Sequence, residues 1–291
     1  FLMIRLPPRS TLSSSSAASD VYKRQVQYFN FLNDLSPVSW YNRHNEESYW
    51  YLDPKKYESF FVLVPTGSQG AMVLKKPYLR RSYQSHRTVT EIIGEAFPNT
   101  ALLAVVSISF ALVVGIVVGI FSALKRDTIF DRSALVLSVL GMSLPSFFAA
   151  ILFAWIFAYL LADATGLNMV GSLYAVDDFG RGEFLELKNL ILPAIVLGIR
   201  PLAVVVELTR NSLLEVLSQD YIRTAYAKGL SKFRVITRHA LRNALNPIIT
   251  AVSGWFASMM AGAVFVEYVF DWKGLGVVIV DALEQYDFPV I

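Results

Sequence analysis

The chain contains no cysteine. Disulfides, thiol nucleophiles and cysteine-ligated metals are therefore excluded. Histidine is almost missing too: His44, His86 and His239 are far apart in sequence and form no ligand cluster. Charge is scarce, at 17% of 291 residues, where a soluble domain carries about 25%. The formal net charge of +3 gives a nucleic-acid partner little support. No G-x-x-x-x-G-K-[ST] motif occurs, so the chain is not its own ATPase. No Ser/His/Asp grouping marks a hydrolase.

What the chain does have is apolar surface. Hydrophobic residues make up 54% of it and the mean hydropathy is +0.46. They concentrate in four runs, at residues 100–124, 133–161, 190–208 and 248–269. Each reaches the roughly 20 residues that a helix needs to cross about 30 Å of hydrocarbon. A soluble bundle would need polar helix faces that these runs lack. The expected fold class is therefore all-α, a polytopic helical membrane protein with four visible spans.

Loop charge orients the spans. The first connection carries Lys125, Arg126 and Arg132, and the third carries seven basic residues between Arg210 and Arg242. The second connection is acidic (Asp163, Asp177, Asp178, Glu183, Glu186), as is the stretch after the fourth span. Basic loops face the cytoplasm. The first and third connections are thus cytoplasmic. The second connection, the C-terminal stretch and the polar flank 26–98 lie outside.

Within that flank, residues 26–35 show helical spacing, 60–64 suit a strand without an obvious partner, and 90–97 suit a helix on the membrane surface. Residues 1–25 are Ser/Ala-rich and resemble translated adaptor sequence, so they are expected to be spurious or disordered. The C-terminus stops in mid-pattern after Asp287. The chain is expected to be a fragment at both ends.

Two intramembrane features stand apart. Pro145 should kink the second span among small residues, serving either a pore-lining bend or close helix packing. Arg200 lies mid-way along the third span, where a bare charge costs at least about 2.5–3.5 kcal/mol. Such a residue faces a partner or a wet cavity, and Glu207, two turns on, can share that environment. The alternative is a shifted span with Arg200 snorkelling to the interface.

The third connection, 210–247, carries the strongest signal. Ser218 is placed to cap a helix over residues 219–228, Gly229 to end it and Ser231 to cap a second helix reaching Asn246. The strings DYIRTAYAKG (220–229) and HALRNALNP (239–247) resemble the cytoplasmic EAA loop of bacterial ABC importer permeases. The general pattern places Glu-Ala-Ala before the glycine; here Arg223-Thr-Ala225 stand there, as in the dipeptide/oligopeptide/nickel branch. Further similarity runs through 76–100, 141–148 and 265–276. The aromatic insertion 37–75 fits least well.

That resemblance implies an ABC importer permease fold of about six spans in the bacterial inner membrane. It implies transport of peptides or nickel by alternating access, with no catalytic residue in this chain. ATP and Mg would be bound by partner ATPase subunits, so this chain would bind no cofactor. The implied partners are a second permease subunit, two ATPase subunits and an extracytoplasmic substrate-binding protein. Residues Asp220, Arg223, Thr224, Ala225, Lys228, Gly229, His239 and Arg242 would couple to the ATPase. Pro145, Arg200 and Glu207 are the candidate pathway residues. A channel or secondary transporter would need no docking hairpin, and a membrane enzyme would need a catalytic cluster that is not visible.

The absence of cysteine makes the orientation directly testable. A single cysteine replacing Lys232 should be shielded from an impermeant thiol reagent in intact cells, and one replacing Asp177 should react. The reverse pattern contradicts the assigned topology.

Overall fold

The computed structural model describes residues 14–42, 51–52, 57, 60–66, 70–176, 182–260 and 263–291. It divides into two units, residues 1–82 with 86–90, and residues 83–85 with 91–291.

The first unit is built on α1 (Ser14–Leu35) and an antiparallel sheet of β1 (Val38–Asn42), β2 (Phe60–Thr66) and β3 (Gly70–Lys75), in the order β1-β3-β2. The strand expected over 60–64 therefore has its partner in Gly70–Lys75, across a short connection. The β1 pattern alternates exposed and buried residues, as a one-sided sheet requires. Tyr41, Tyr57, Ala71 and Val73 form its core. Asp34, at the end of α1, accepts from the Tyr57 hydroxyl at 2.5 Å, and the Tyr41 hydroxyl donates to Tyr57 at 2.8 Å. Burial pushes both phenols above their ordinary value of 10.0. The helix expected over 26–35 begins earlier, at Ser14, so part of the segment read as spurious is helical. Residues 1–13 lie outside the described residues.

The second unit is helical. Helix α2 (Val89–Leu124) runs unbroken for 36 residues. The separate surface helix expected over 90–97 is its first turns. Pro98 removes one backbone donor there without ending the helix. Helix α6 (Lys188–Leu217) is likewise continuous for 30 residues through Pro193 and Pro201. These two are long and apolar enough to cross a membrane.

The other two expected spans are each broken. The second comprises α3 (Ile129–Ser143) and α4 (Ser146–Phe153), which continues as a wider π-helical turn, Ala154–Leu160. The two halves meet at 110°. This is a break, sharper than the expected kink. Leu144 and Pro145 are both extended, with ψ of 126° and 137°. A residue before proline is pushed out of the helical region by the proline ring. The fourth comprises α10 (Asn246–Met260) and α11 (Val264–Phe270), inclined by 55°. Counted as pairs, these make four spans. Short α5 (Ala162–Thr165) and a ribbon of β4 (Tyr174–Val176) and β5 (Glu183–Leu185) lie in the second connection. A final helix, α12 (Leu275–Glu284), follows α11.

The long helices meet through small residues. A Cβ on Gly119 of α2 would lie 2.6 Å from Thr209 Cβ and 2.8 Å from the Val206 carbonyl of α6. One on Gly115 would lie 2.8 Å from Val205. Lipid tails are as apolar as leucine, so helices in a bilayer associate through such close packing rather than by hydrophobic exclusion. The opposite face of α2, with Val105, Val113, Val117 and Phe121, is exposed.

At one end of the unit, Glu267 of α11 is fully buried. Its carboxylate accepts from Thr100 Oγ1 at 2.8 Å and from the Gly276 amide at 2.6 Å. Thr100 Oγ1 in turn accepts from the Leu275 amide at 2.8 Å. One acid thus joins the start of the first span to the amino end of α12, whose free amides favour an anion. At the same end, the Gly171 amide donates to the Phe270 carbonyl at 2.9 Å. The start of the second connection therefore meets the end of α11 at this end of the unit.

Gly119→Val should force α2 and α6 apart, because the clash includes a backbone carbonyl. The expected cost is about 1–3 kcal/mol, typical of overpacking. It is read as a lower thermal midpoint of the detergent-solubilised protein. An unchanged midpoint contradicts the close approach.

Candidate functional site

The opposite end of the same unit holds the basic connection. Helix α6 continues nine residues beyond the expected end of its span, to Leu217, before the chain turns. Ser218 is therefore the last cap of α6, its hydroxyl donating to the Glu215 carbonyl at 2.7 Å. The N-cap position expected of Ser218 falls instead to Gln219, whose extended backbone starts α7 (Asp220–Ala227) without a side-chain cap. Ser218 fails as the cap because α6 has already claimed its backbone.

Gly229 follows with φ +78°, the left-handed conformation expected of it. No atom lies within 4 Å of where its Cβ would be, so backbone conformation, not space, selects glycine. Ser231 then starts the second arm, without a side-chain cap. This arm is α8 (Lys232–Arg234), a π-helical turn (Val235–Ala240) and α9 (Leu241–Ala244), leading into α10.

The hairpin has two unlike faces. Ile222, Ala225, Val235, Ala240 and Ala244 are buried in one core with Leu213 of α6 and Ala123 of α2. Asn243 Nδ2 donates to the Tyr221 hydroxyl at 2.9 Å, tying the two arms together. Asp220, Arg223, Thr224, Lys228, Gly229 and Arg242 are all exposed, and His239 is half-buried. Ala225 alone of the eight coupling candidates lies in the core. Arg223 reaches Asp220 at 3.5 Å in an exposed pair, of a kind that adds little stability. Phe233 stands 77% exposed, and Tyr221 and Tyr226 of the hairpin are exposed as well. The hairpin is thus packed into the helical core on one face and open on the other.

Sequence reasoning passed over the polar anchor at its root. Asp131, in the first turn of α3, is 1% exposed. Arg210 donates to it twice, from Nε to Oδ1 at 2.6 Å and from Nη2 to Oδ2 at 2.7 Å. The Ser122 hydroxyl of α2 also donates to Oδ1, and the Asp127 amide to Oδ2 at 3.0 Å. Removing one partner of such a buried pair typically costs about 3–5 kcal/mol. The available signal was Thr128-x-x-Asp131 before an apolar run, a capping box. Thr128 is indeed the N-cap and accepts from the Asp131 amide at 3.4 Å.

The pathway candidates occupy the middle of the unit. A cavity of about 260 Å³ lies at the α3–α4 break, lined by Gly141, Leu144, Ser146, Arg200, Trp255 and Phe265 among others. Pro145 sits in the break itself and is exposed. No ion pair joins Arg200 to Glu207, which is half-buried one helical stretch away. Of the three pathway candidates only Arg200 lines this cavity; Pro145 stands between its lining residues Leu144 and Ser146, and Glu207 is outside the lining. Among the described residues no group of His, Asp and Glu is arranged to hold a metal ion.

Residues 115–291 match the family of the binding-protein-dependent transport system inner membrane component. The chain is 38% identical over 256 residues to the di/tripeptide transport system permease protein of Pseudomonas aeruginosa (strain UCBPP-PA14), covering 82% of this chain and 73% of that one. It is 39% identical over 229 residues to the dipeptide transport system permease protein of Escherichia coli (strain K12), covering 72% and 67%. The same-named protein of Bacillus subtilis (strain 168) is 36% identical over 250 residues, covering 85% and 73%. The chain spans from 63% to 73% of the lengths of the curated relatives it matches. A solved chain of the MetNI methionine ABC transporter, in an inward-facing form, superposes with a TM-score of 0.50 at 15% identity, covering 66% of this chain and 81% of that one. That likeness concerns the fold alone. The chain belongs to the family of binding-protein-dependent transport system inner membrane components and is a membrane-embedded permease subunit.

Proposed function

We propose that this chain is a permease subunit of an ATP-driven peptide importer. The two-faced hairpin of residues 218–246 carries this reading, and the peptide-transport names of its relatives supply the substrate class. Nickel, the alternative substrate of the branch, is not needed to account for these similarities.

The subunit pairs with a second permease, two ATPase subunits and an extracytoplasmic substrate-binding protein. ATP and Mg are bound by the ATPase subunits, and this chain binds no cofactor and catalyses no reaction. The exposed face of the hairpin, with Asp220, Arg223, Thr224, Lys228, Gly229 and Arg242, docks on an ATPase. His239 and Ala225 support it from behind. Closure of the ATPases displaces the hairpin and reorients the spans. The pathway then opens outward to accept peptide from the binding protein and returns inward after hydrolysis. Residues 26–98 form the extracytoplasmic region facing that delivery. Pro145, Arg200 and Glu207 line or border the route. The 110° break at Pro145 and the cavity beside Arg200 favour this placement.

In the reassembled complex, Gly229→Val strains a backbone that only glycine adopts freely. Arg223→Glu reverses a charge on the docking face. Both variants should insert and keep their spans, yet lose transport and substrate-stimulated ATP hydrolysis together. Wild-type transport by both variants would remove the hairpin from the coupling mechanism.

A further inference from the structure

We propose that the Asp131–Arg210 ion pair delivers the movement of the hairpin to the broken span α3–α4. Both residues act by position rather than by contact with substrate. The inference rests on the reading of the hairpin as the ATPase-coupling element.

Arg210 stands seven residues before the end of α6, where the hairpin begins. Leu213 of α6, Ala123 of α2 and both hairpin arms share one buried core. A push on the hairpin therefore moves the root of α6 with it, because packed cores transmit displacement instead of absorbing it. The open question is what α3 does when α6 moves.

Helix α3 is held to α6 chiefly by small residues. Ala134, Ser138 and Gly141 are its buried positions beyond Asp131. Gly141 faces Ile199 and Ala203. Val136, Leu137, Val139 and Leu140 are all more than half exposed. Such contacts are smooth and permit sliding. At Asp131 they are replaced by a directional contact. Two parallel N–H···O bonds fix the orientation of guanidinium against carboxylate as well as their separation. The Ser122 hydroxyl and the Asp127 amide occupy the remaining acceptor positions, so α2, the turn after it, α3 and α6 meet at a single carboxylate.

This lock is 13 residues from the Leu144–Pro145 break at the other end of α3. Between the two runs a rigid helix of 15 residues. Held at its root and jointed at its tip, α3 acts as a lever. Tilting α6 swings α3 about the lock and alters the angle at the break, where the cavity holding Arg200 opens. Separating the pair would leave the buried Asp131 carboxylate without a counter-charge, so the lock stays shut through the cycle.

The test uses the full permease chain in the complete importer reconstituted in liposomes. It reads ATP hydrolysed per peptide imported, alongside the amount of complex assembled. Arg210→Lys keeps the charge but cannot make the two-point contact. It should assemble normally and hydrolyse ATP, with the ratio rising by about tenfold. Exchanging the charges, with Asp131→Arg and Arg210→Asp together, should bring the ratio back toward that of the wild type. If Arg210→Lys fails to assemble, the ratio is read on Ser122→Ala, which loses one bond to the carboxylate and keeps the ion pair; a rise of about twofold is then expected. An unchanged ratio in the variant that assembles overturns the proposal. So does a fall of transport and hydrolysis in step with the amount of complex recovered. Gly229→Val, run in parallel, separates the two readings: if it also transports normally, the hairpin itself is not the coupling element, and if it alone fails, only the lock is dismissed.

Discussion

A carboxylate shut away from water must have every lone pair answered, and Asp131 is the place where this requirement shapes the molecule. Two nitrogens of Arg210, a serine hydroxyl and a backbone amide converge on it. They come from two helices, α6 and α2, and a turn, so the placement of those elements around α3 follows from one side chain. Glu267 does the same at the opposite end, joining α2, α11 and α12. Between these two points the helices touch mostly through glycine, alanine and aliphatic side chains, whose contacts set distance but little direction. The unit is therefore pinned at both ends and smooth in the middle.

That arrangement suits a subunit whose work is movement. Backbone polar groups inside a bilayer must be satisfied internally or face a cavity. The break at Leu144–Pro145 meets this condition, because it borders the cavity that Arg200 also lines. One face of the hairpin belongs to the core of the spans, and the other is left polar and aromatic. Such a face accords with membership of a family of transport-system components.

Much of this was legible in the sequence, for identifiable reasons. Long apolar runs have one physical solution in a membrane, so the helical class and the number of runs followed from composition. Gly229 announced its left-handed backbone because few residues tolerate it. Other features depended on tertiary context. The runs at 133–161 and 248–269 look continuous in hydropathy, yet each is broken, since apolarity measures partition and not straightness. Residues 90–97 read as a separate surface helix because polar residues interrupt their apolar spacing, yet they continue into the first span through Pro98. The sheet of the first unit was half seen: residues 60–64 had strand character, while their partner β3, with its glycine and alanine start, had less. Asp131 and Glu267 were read as loop and motif residues, because nothing in a single sequence reveals that a carboxylate is buried until its donors from distant segments are known.

The central claim is that the exposed face of the hairpin meets the ATPase, and cross-linking from that face tests it most directly. The chain has no cysteine of its own, so a single one replacing Phe233, carrying a photo-activated group, reports on one position. A matched probe replacing Lys188, at the end of α6 away from the hairpin, serves as reference. In the assembled importer the Phe233 probe should capture the ATPase subunit, with a yield that changes when nucleotide is added, and the Lys188 probe should not. Capture from neither position, or equally from both, would contradict a hairpin that receives the force of ATP hydrolysis.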